Sequence, residues 1–168
     1  MAKKSKSPQG KKDANDRDQS ATLAVNRRAR FDYEILDSAE AGIVLTGTEI
    51  KALRESSASI AEAYARIRDG EIWLFNMHIP PYGPARENHE PRRPRKLLMH
   101  RRQIAQWAEL LETHPRTTVV PMRLYLTRGK AKVQVGVATG KRSYDKRQTI
   151  AKRDAERTMQ RALRQAQR

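Results

Sequence analysis

The chain has 168 residues, with 35 lysines and arginines against 19 acids, a net charge of +16, and no cysteine. The missing cysteine excludes disulfides, thiolate catalysis and thiolate metal sites. No apolar run approaches the ~20 residues of a spanning helix, no signal-peptide core follows the first lysines, and so positive a field makes a phosphate polymer, not a membrane, the expected partner.

Residues 1–24 are mostly Lys, Ser, Asp, Gln and Gly. They hold too little apolar surface to offset chain entropy and are expected to be disordered. Order is expected to begin near Val25 and Asn26. Phe31, Tyr33 and Ile35 alternate with Asp32 and Glu34, the pattern of a strand. Gly42 to Gly47 is β-branched between glycines, which reads as a second strand or as the far end of a bent first one.

Thr48 to Glu55 predicts a short helix, with Thr48 as N-cap and Glu49 in the first turn. Ile50 and Leu53 give it an apolar face; Lys51 and Arg54 give it a basic one. Tyr64–Arg68 and Glu71–Phe75 flank Asp69-Gly70, the strongest short hairpin signal in the chain. Met77 to Arg95 holds five of the eight prolines and predicts a long functional or mobile loop. Lys96 to Met99 leads into a helix from His100 to Thr113, stopped by Pro115. A second hairpin follows, Val119 to Ala138, turning at Thr127-Arg128-Gly129-Lys130.

After Gly140 the alternation stops and a basic tail begins, with ten basic residues against three acids. Ile150, Met159 and Leu163 recur at helical steps, but the stripe is too narrow and Ala-rich to hold a long helix in water unaided. The tail is expected to be disordered until a partner orders it. The whole reads as mainly β with α: a small antiparallel barrel over residues 25–139 with accessory helices, plus the tail, 140–168.

Catalytic chemistry is thinly supported. His78, His89, His100 and His114 show no i, i+4 metal pairing, and neither a phosphate-binding glycine loop nor a nucleophile elbow is present. No metal or cofactor is expected. Asp32, Glu34 and Asp37 are the only candidates for a two-metal nuclease, and solvated strand carboxylates describe them better. Glu49 either complements its helix dipole or accepts hydrogen bonds from base edges or ribose hydroxyls. Burial statistics place Trp73, Phe75 and Trp107 in the core. Tyr82 and Tyr144 sit in polar settings, and Tyr144, among Arg142, Ser143, Asp145 and Lys146, suits base stacking.

These residues carry a resemblance to the SmpB family, the SsrA-binding proteins of bacterial trans-translation. The matching motifs are Val25-Asn26-Arg27-Arg28-Ala29, Gly42 to Arg54, Tyr64-Ala65-Arg66, Asn76-Met77-His78-Ile79, His89-Glu90-Pro91, Arg93-Pro94-Arg95-Lys96-Leu97-Leu98, and Gly140 to Arg147. The resemblance implies an oligonucleotide-binding (OB) barrel without catalytic activity. It implies a protein that binds the tRNA-like domain of transfer-messenger RNA and delivers it, with elongation factor Tu, to stalled ribosomes. Its tail would enter the vacant message channel beyond the decoding centre and become helical there. Carried over by position, the RNA-facing set is Asn26, Glu49, Lys51, Asn76, His78, Arg93, Arg95 and Lys96. The ribosome-facing set is Gly140, Lys141, Tyr144, Asp145, Lys146 and Arg147. Two departures stand out: Ala155 follows Asp154 where family tails often carry tryptophan, and Thr158-Met159 occupies a usually basic stretch. From the residues alone, a structural ribosomal protein with a tail embedded in rRNA is the runner-up.

Overall fold

A computed structural model describes residues 20–55 and 58–166. Among the described residues, seven strands and four helices follow in order: β1 (Ser20–Val25), α1 (Arg27–Asp32), β2 (Tyr33–Ile43), α2 (Gly47–Glu55), β3 (Tyr64–Arg68), β4 (Glu71–Phe75), β5 (Arg95–Leu98), α3 (Arg101–Thr113), β6 (Thr117–Thr127), β7 (Lys130–Gly140) and α4 (Ser143–Ala166). The strand order is β1-β6-β3-β4-β5-β2-β7, and β6 also pairs with β7. That last pairing closes the sheet on itself. The result is the antiparallel OB-type barrel expected from the sequence, with β1 laid on β6 outside the closed ring.

Two hairpins build its walls. Asp69 and Gly70 both take positive φ, 52° and 71°, as do Arg128 and Gly129, 51° and 75°. Such turns match the right-handed twist of the strands they join. Tyr64 pairs with Phe75 and Arg68 with Glu71 across the first hairpin; Thr117 pairs with Thr139 and Thr127 with Lys130 across the second. Inward positions fill one core, including Ile43, Leu53, Ile60, Ile72, Leu74, Met77, Leu97, Trp107, Val119, Leu124, Val133 and Val135. A smaller cluster of Ala29, Val120, Met122 and Ala138 lies under α1. The register shift between Pro121 and Arg123 lets β6 serve both: Val119 and Leu124 face the main core, Val120 and Met122 face α1.

Several expectations are corrected. Ser20 to Ala24, expected to be disordered, belongs with Val25 to strand β1, because it finds the edge of β6 along Arg123–Thr127. Local composition does not reveal a distant partner of that kind. Residues 1–19 lie outside the described set. Arg27 to Asp32 is helical, so the strand expected from Phe31 begins at Tyr33: the Asn26 side chain caps the helix by accepting the Ala29 N–H at 3.1 Å. The bent-strand reading of residues 33–43 is the right one, with a bulge between Ile35 and Asp37 against β7. Arg95 to Leu98 is a strand of its own, held between β4 and β2. Of the expected core aromatics, Trp107 is buried. Trp73 and Phe75 are not, because Ile72 and Leu74 take the inward positions of β4 and turn them out.

The tail is a single helix, α4, here, where composition predicts disorder before binding. Its residues are good helix formers, and Arg164 in the last turn suits the helix dipole. Ile150, Met159 and Leu163 are nonetheless exposed, so local propensity holds it beyond its contact with α1.

Candidate nucleic-acid interface

Helix α2 opens on Thr46-Gly47-Thr48-Glu49, a capping-box spacing. Thr46, one residue before the helix, takes the N-cap position predicted for Thr48, and Glu49 reaches back to accept the Thr46 N–H at 2.7 Å. The same carboxylate receives two arginines. Arg93 donates through Nε to Oε1 at 2.8 Å and through Nη2 to Oε2 at 2.5 Å. Arg95 donates through Nε to Oε1 at 2.9 Å. Arg95 also donates to the carbonyls of Met77 at 2.5 Å, Arg93 at 3.2 Å and Pro91 at 3.0 Å. Glu49 and Arg95 are both 0 % exposed. Burial pushes the Glu49 carboxyl up, but the hydrogen bonds from Arg93 and Thr46 and the charge of Arg95 outweigh it and hold it below its ordinary value. Burial lowers the Arg95 guanidinium, and Glu49 offsets only part of that.

This cluster staples the proline-rich loop to α2. His89 completes the staple: Nε2 donates to the Ile79 carbonyl at 3.2 Å, which leaves Nδ1 facing the Thr48 hydroxyl at 3.0 Å. Asn88 closes the tip, accepting the Tyr82 N–H at 2.7 Å and donating to the Tyr82 carbonyl at 3.0 Å. The loop is thus ordered by its own side chains. Tyr82 packs against the core, and the Lys51 ammonium lies 5.7 Å from its ring centre.

The expected RNA-facing residues therefore divide. Lys51 and Asn76 are exposed, and His78 and Arg93 are half-buried, all on or beside the stapled loop. Lys96 projects from β5 and pairs with Glu71. Glu49 and Arg95 offer no exposed surface here, and their polar atoms hold the loop. Asn26 is also buried. Besides capping α1 it donates to the Ile60 carbonyl at 3.3 Å and the Pro121 carbonyl at 3.1 Å, so its side chain ties three elements together. Sequence reasoning missed the roles of Thr46 and His89, although the Thr-x-x-Glu spacing was there to read.

At the tail junction, Gly140 still belongs to β7 and pairs with Tyr33. Lys141 donates its N–H to the Asp32 carbonyl at 2.9 Å and its Nζ to the Arg30 carbonyl at 3.1 Å, closing the end of α1. These bonds clamp the junction to the body. Arg147 is exposed on α4; the side chains of Tyr144, Asp145 and Lys146 lie outside the described set. Asp37, one of the three nuclease candidates, accepts the Trp107 Nε1–H at 2.7 Å and the Ser38 N–H at 2.8 Å. Among the described residues no group of three His, Asp or Glu could hold a metal ion.

The family model described as SmpB protein matches residues 23–165. The chain belongs to the SmpB family. It is 54 % identical over 144 residues to the SsrA-binding protein of Thermobifida fusca, covering 85 % of this chain and 89 % of that one. It is 51 % identical over 164 residues to the SsrA-binding protein of Mycolicibacterium vanbaalenii, covering 97 % and 94 %. Among solved structures, it is similar to a chain described under "tmRNA-SmpB: a journey to the center of the bacterial ribosome", at TM-score 0.61 and 44 % identity over 73 % of this chain and 87 % of that one. The SmpB match includes β1 from Leu23 on, the stapled loop and nearly all of α4.

Proposed function

We propose that this protein binds the tRNA-like domain of transfer-messenger RNA and carries it to stalled ribosomes for trans-translation. The extensive similarity to SsrA-binding proteins carries this reading, and the net charge of +16 fits it. The protein acts by binding and positioning, without catalysis of its own. Lys51, Asn76, His78 and Arg93, presented on or beside the stapled loop, contact the RNA, and Glu49 and Arg95 keep that loop in shape. The tail, starting at the clamped Lys141, is the ribosomal half. It probes the empty message channel as a helix, and Tyr144 stacks on a base of the decoding centre. Elongation factor Tu joins through the RNA, and the work is done in the cytoplasm; no helix among the described residues is long and apolar enough to cross a membrane.

The test is the RNA that co-purifies with the protein. Transfer-messenger RNA, released by high salt, is expected. Ribosomal RNA held one-to-one through a high-salt wash would mark a structural ribosomal protein instead.

A further inference from the structure

Two residues, Lys141 and Arg142, separate the end of β7 from the start of α4. Gly140 is still paired with Tyr33. Lys141 is bonded twice to α1, through its N–H to the Asp32 carbonyl at 2.9 Å and through Nζ to the Arg30 carbonyl at 3.1 Å. The first turns of α4 then lie along the body. Gln148 and Lys152, one turn apart, line a groove whose other wall is Arg30, Tyr33, Glu34 and Ile35. Positions 148 and 152 therefore mark the side of α4 that faces the body.

A helix turns about 100° per residue, so this contact sets the direction of every later side chain. Ala155, Met159, Ala162 and Leu163 fall on the same side as Gln148 and Lys152. Arg153, Arg157, Arg161 and Arg164 fall roughly opposite, in one row along a single continuous helix. All four arginines are exposed. Among the described residues none of them forms an ion pair with a carboxylate, although Asp154 and Glu156 stand on the same helix. Charge spread evenly round a helix would meet phosphate at any rotation. A row confined to one side meets it only when that side is turned to its partner, because the Met159 and Leu163 side offers nothing to pair with an anion.

We propose that Lys141 is a positioning residue: together with the groove beside α1 it fixes the rotational phase of α4, so that the row of Arg153, Arg157, Arg161 and Arg164 meets phosphate in one set orientation relative to the body. This rests on the reading of α4 as the half that works on the ribosome. It adds that the body aims the tail as well as tethering it, with Lys141 turned inward to α1 instead of outward to the ribosome.

Alanines inserted between Lys152 and Arg153 rotate the row without changing its residues. Two of them turn it by about 200° and should cut tagging on stalled ribosomes about tenfold or more, since several phosphate contacts go at once. Four turn it by only about 40° and should keep most of the activity, although they lengthen the helix by about 6 Å, twice what two add. The free protein gives an independent readout. The chain has no cysteine, so spin labels on Glu62→Cys and Gln160→Cys report a single body-to-tail distance. Its distribution should be narrow in the otherwise unchanged chain and broaden with Lys141→Ala. It should narrow again with Lys141→Arg, which still donates to the Arg30 carbonyl, and tagging should follow the same order. Affinity for the tRNA-like RNA domain should be the same in every variant, which checks that the body is intact. Equal tagging with two and four alanines would overturn the proposal, and so would a decline that follows inserted length. A distance distribution indifferent to Lys141 would overturn it as well. A chain ending at Arg142 that still tags would instead remove the reading on which the proposal rests.

Discussion

Arg95 donates its Nε–H to Glu49 Oε1 at 2.9 Å in a place where neither side chain has any exposed surface. A buried pair of this sort gains little over apolar packing, yet losing one partner strands the other. Glu49→Leu alone is expected to destabilise the fold by about 3–5 kcal/mol. The double change, Glu49→Leu with Arg95→Met, should cost less than either single change. Chemical denaturation of the four proteins checks this; strictly additive losses would mean the pair is not coupled.

Acid should act through the same carboxyl. Its folded-state affinity for protons lies below that of the free side chain, for which the ordinary value is 4.5. As pH falls, the unfolded chain takes up the proton first. The contribution of Glu49 is therefore fully present above its ordinary value and is lost as pH drops through the folded-state value. Unfolding free energy followed from neutral to acid pH should fall less steeply in Glu49→Gln than in the parent. Identical slopes would remove Glu49 from the account of acid sensitivity.

Asn26 was expected to meet RNA, yet all its polar atoms are used inside the protein. Asn26→Ala removes a helix cap, worth about 1 kcal/mol, and takes a donor from the Pro121 carbonyl, at about 1–3 kcal/mol, while the Ile60 carbonyl keeps the Ala63 N–H. We expect a clear drop in melting temperature and a loss of RNA binding that only follows the unfolded fraction. Loss of affinity in a fully stable variant would return Asn26 to the interface.

Most of the barrel was legible because its signals are local. Asp69-Gly70 and Arg128-Gly129 announce their hairpins. What escaped depends on partners far along the chain. β1 forms only because β6 offers an edge, and Arg95–Leu98 becomes a strand only between β4 and β2. The site divides in the same way. The charge of Lys51 and the polarity of Asn76 could be read directly. That Glu49 is enclosed by Arg93 and Arg95, 44 and 46 positions away, could not. Nor could the outward turn of Trp73 and Phe75, since aromatic residues on a strand more often face a core.

Tyr144 begins the ribosomal half of the proposed function. Tyr144→Ala should reduce tagging on stalled ribosomes, with little change in barrel stability, because stacking on a base contributes about 1–3 kcal/mol. Tagging assays paired with thermal unfolding separate the two effects. A large fall in melting temperature would mean that Tyr144 packs on the body.

The central claim is a division of labour: the body reads the RNA and α4 reads the ribosome. The most direct measurement removes α4 by truncation after Arg142, which leaves Lys141 bonded to Arg30 and Asp32. Affinity for the tRNA-like RNA domain and tagging of stalled ribosomes are then measured on the same preparation. The account predicts retained RNA affinity with abolished tagging; parallel loss of both activities in a stably folded truncation would contradict it.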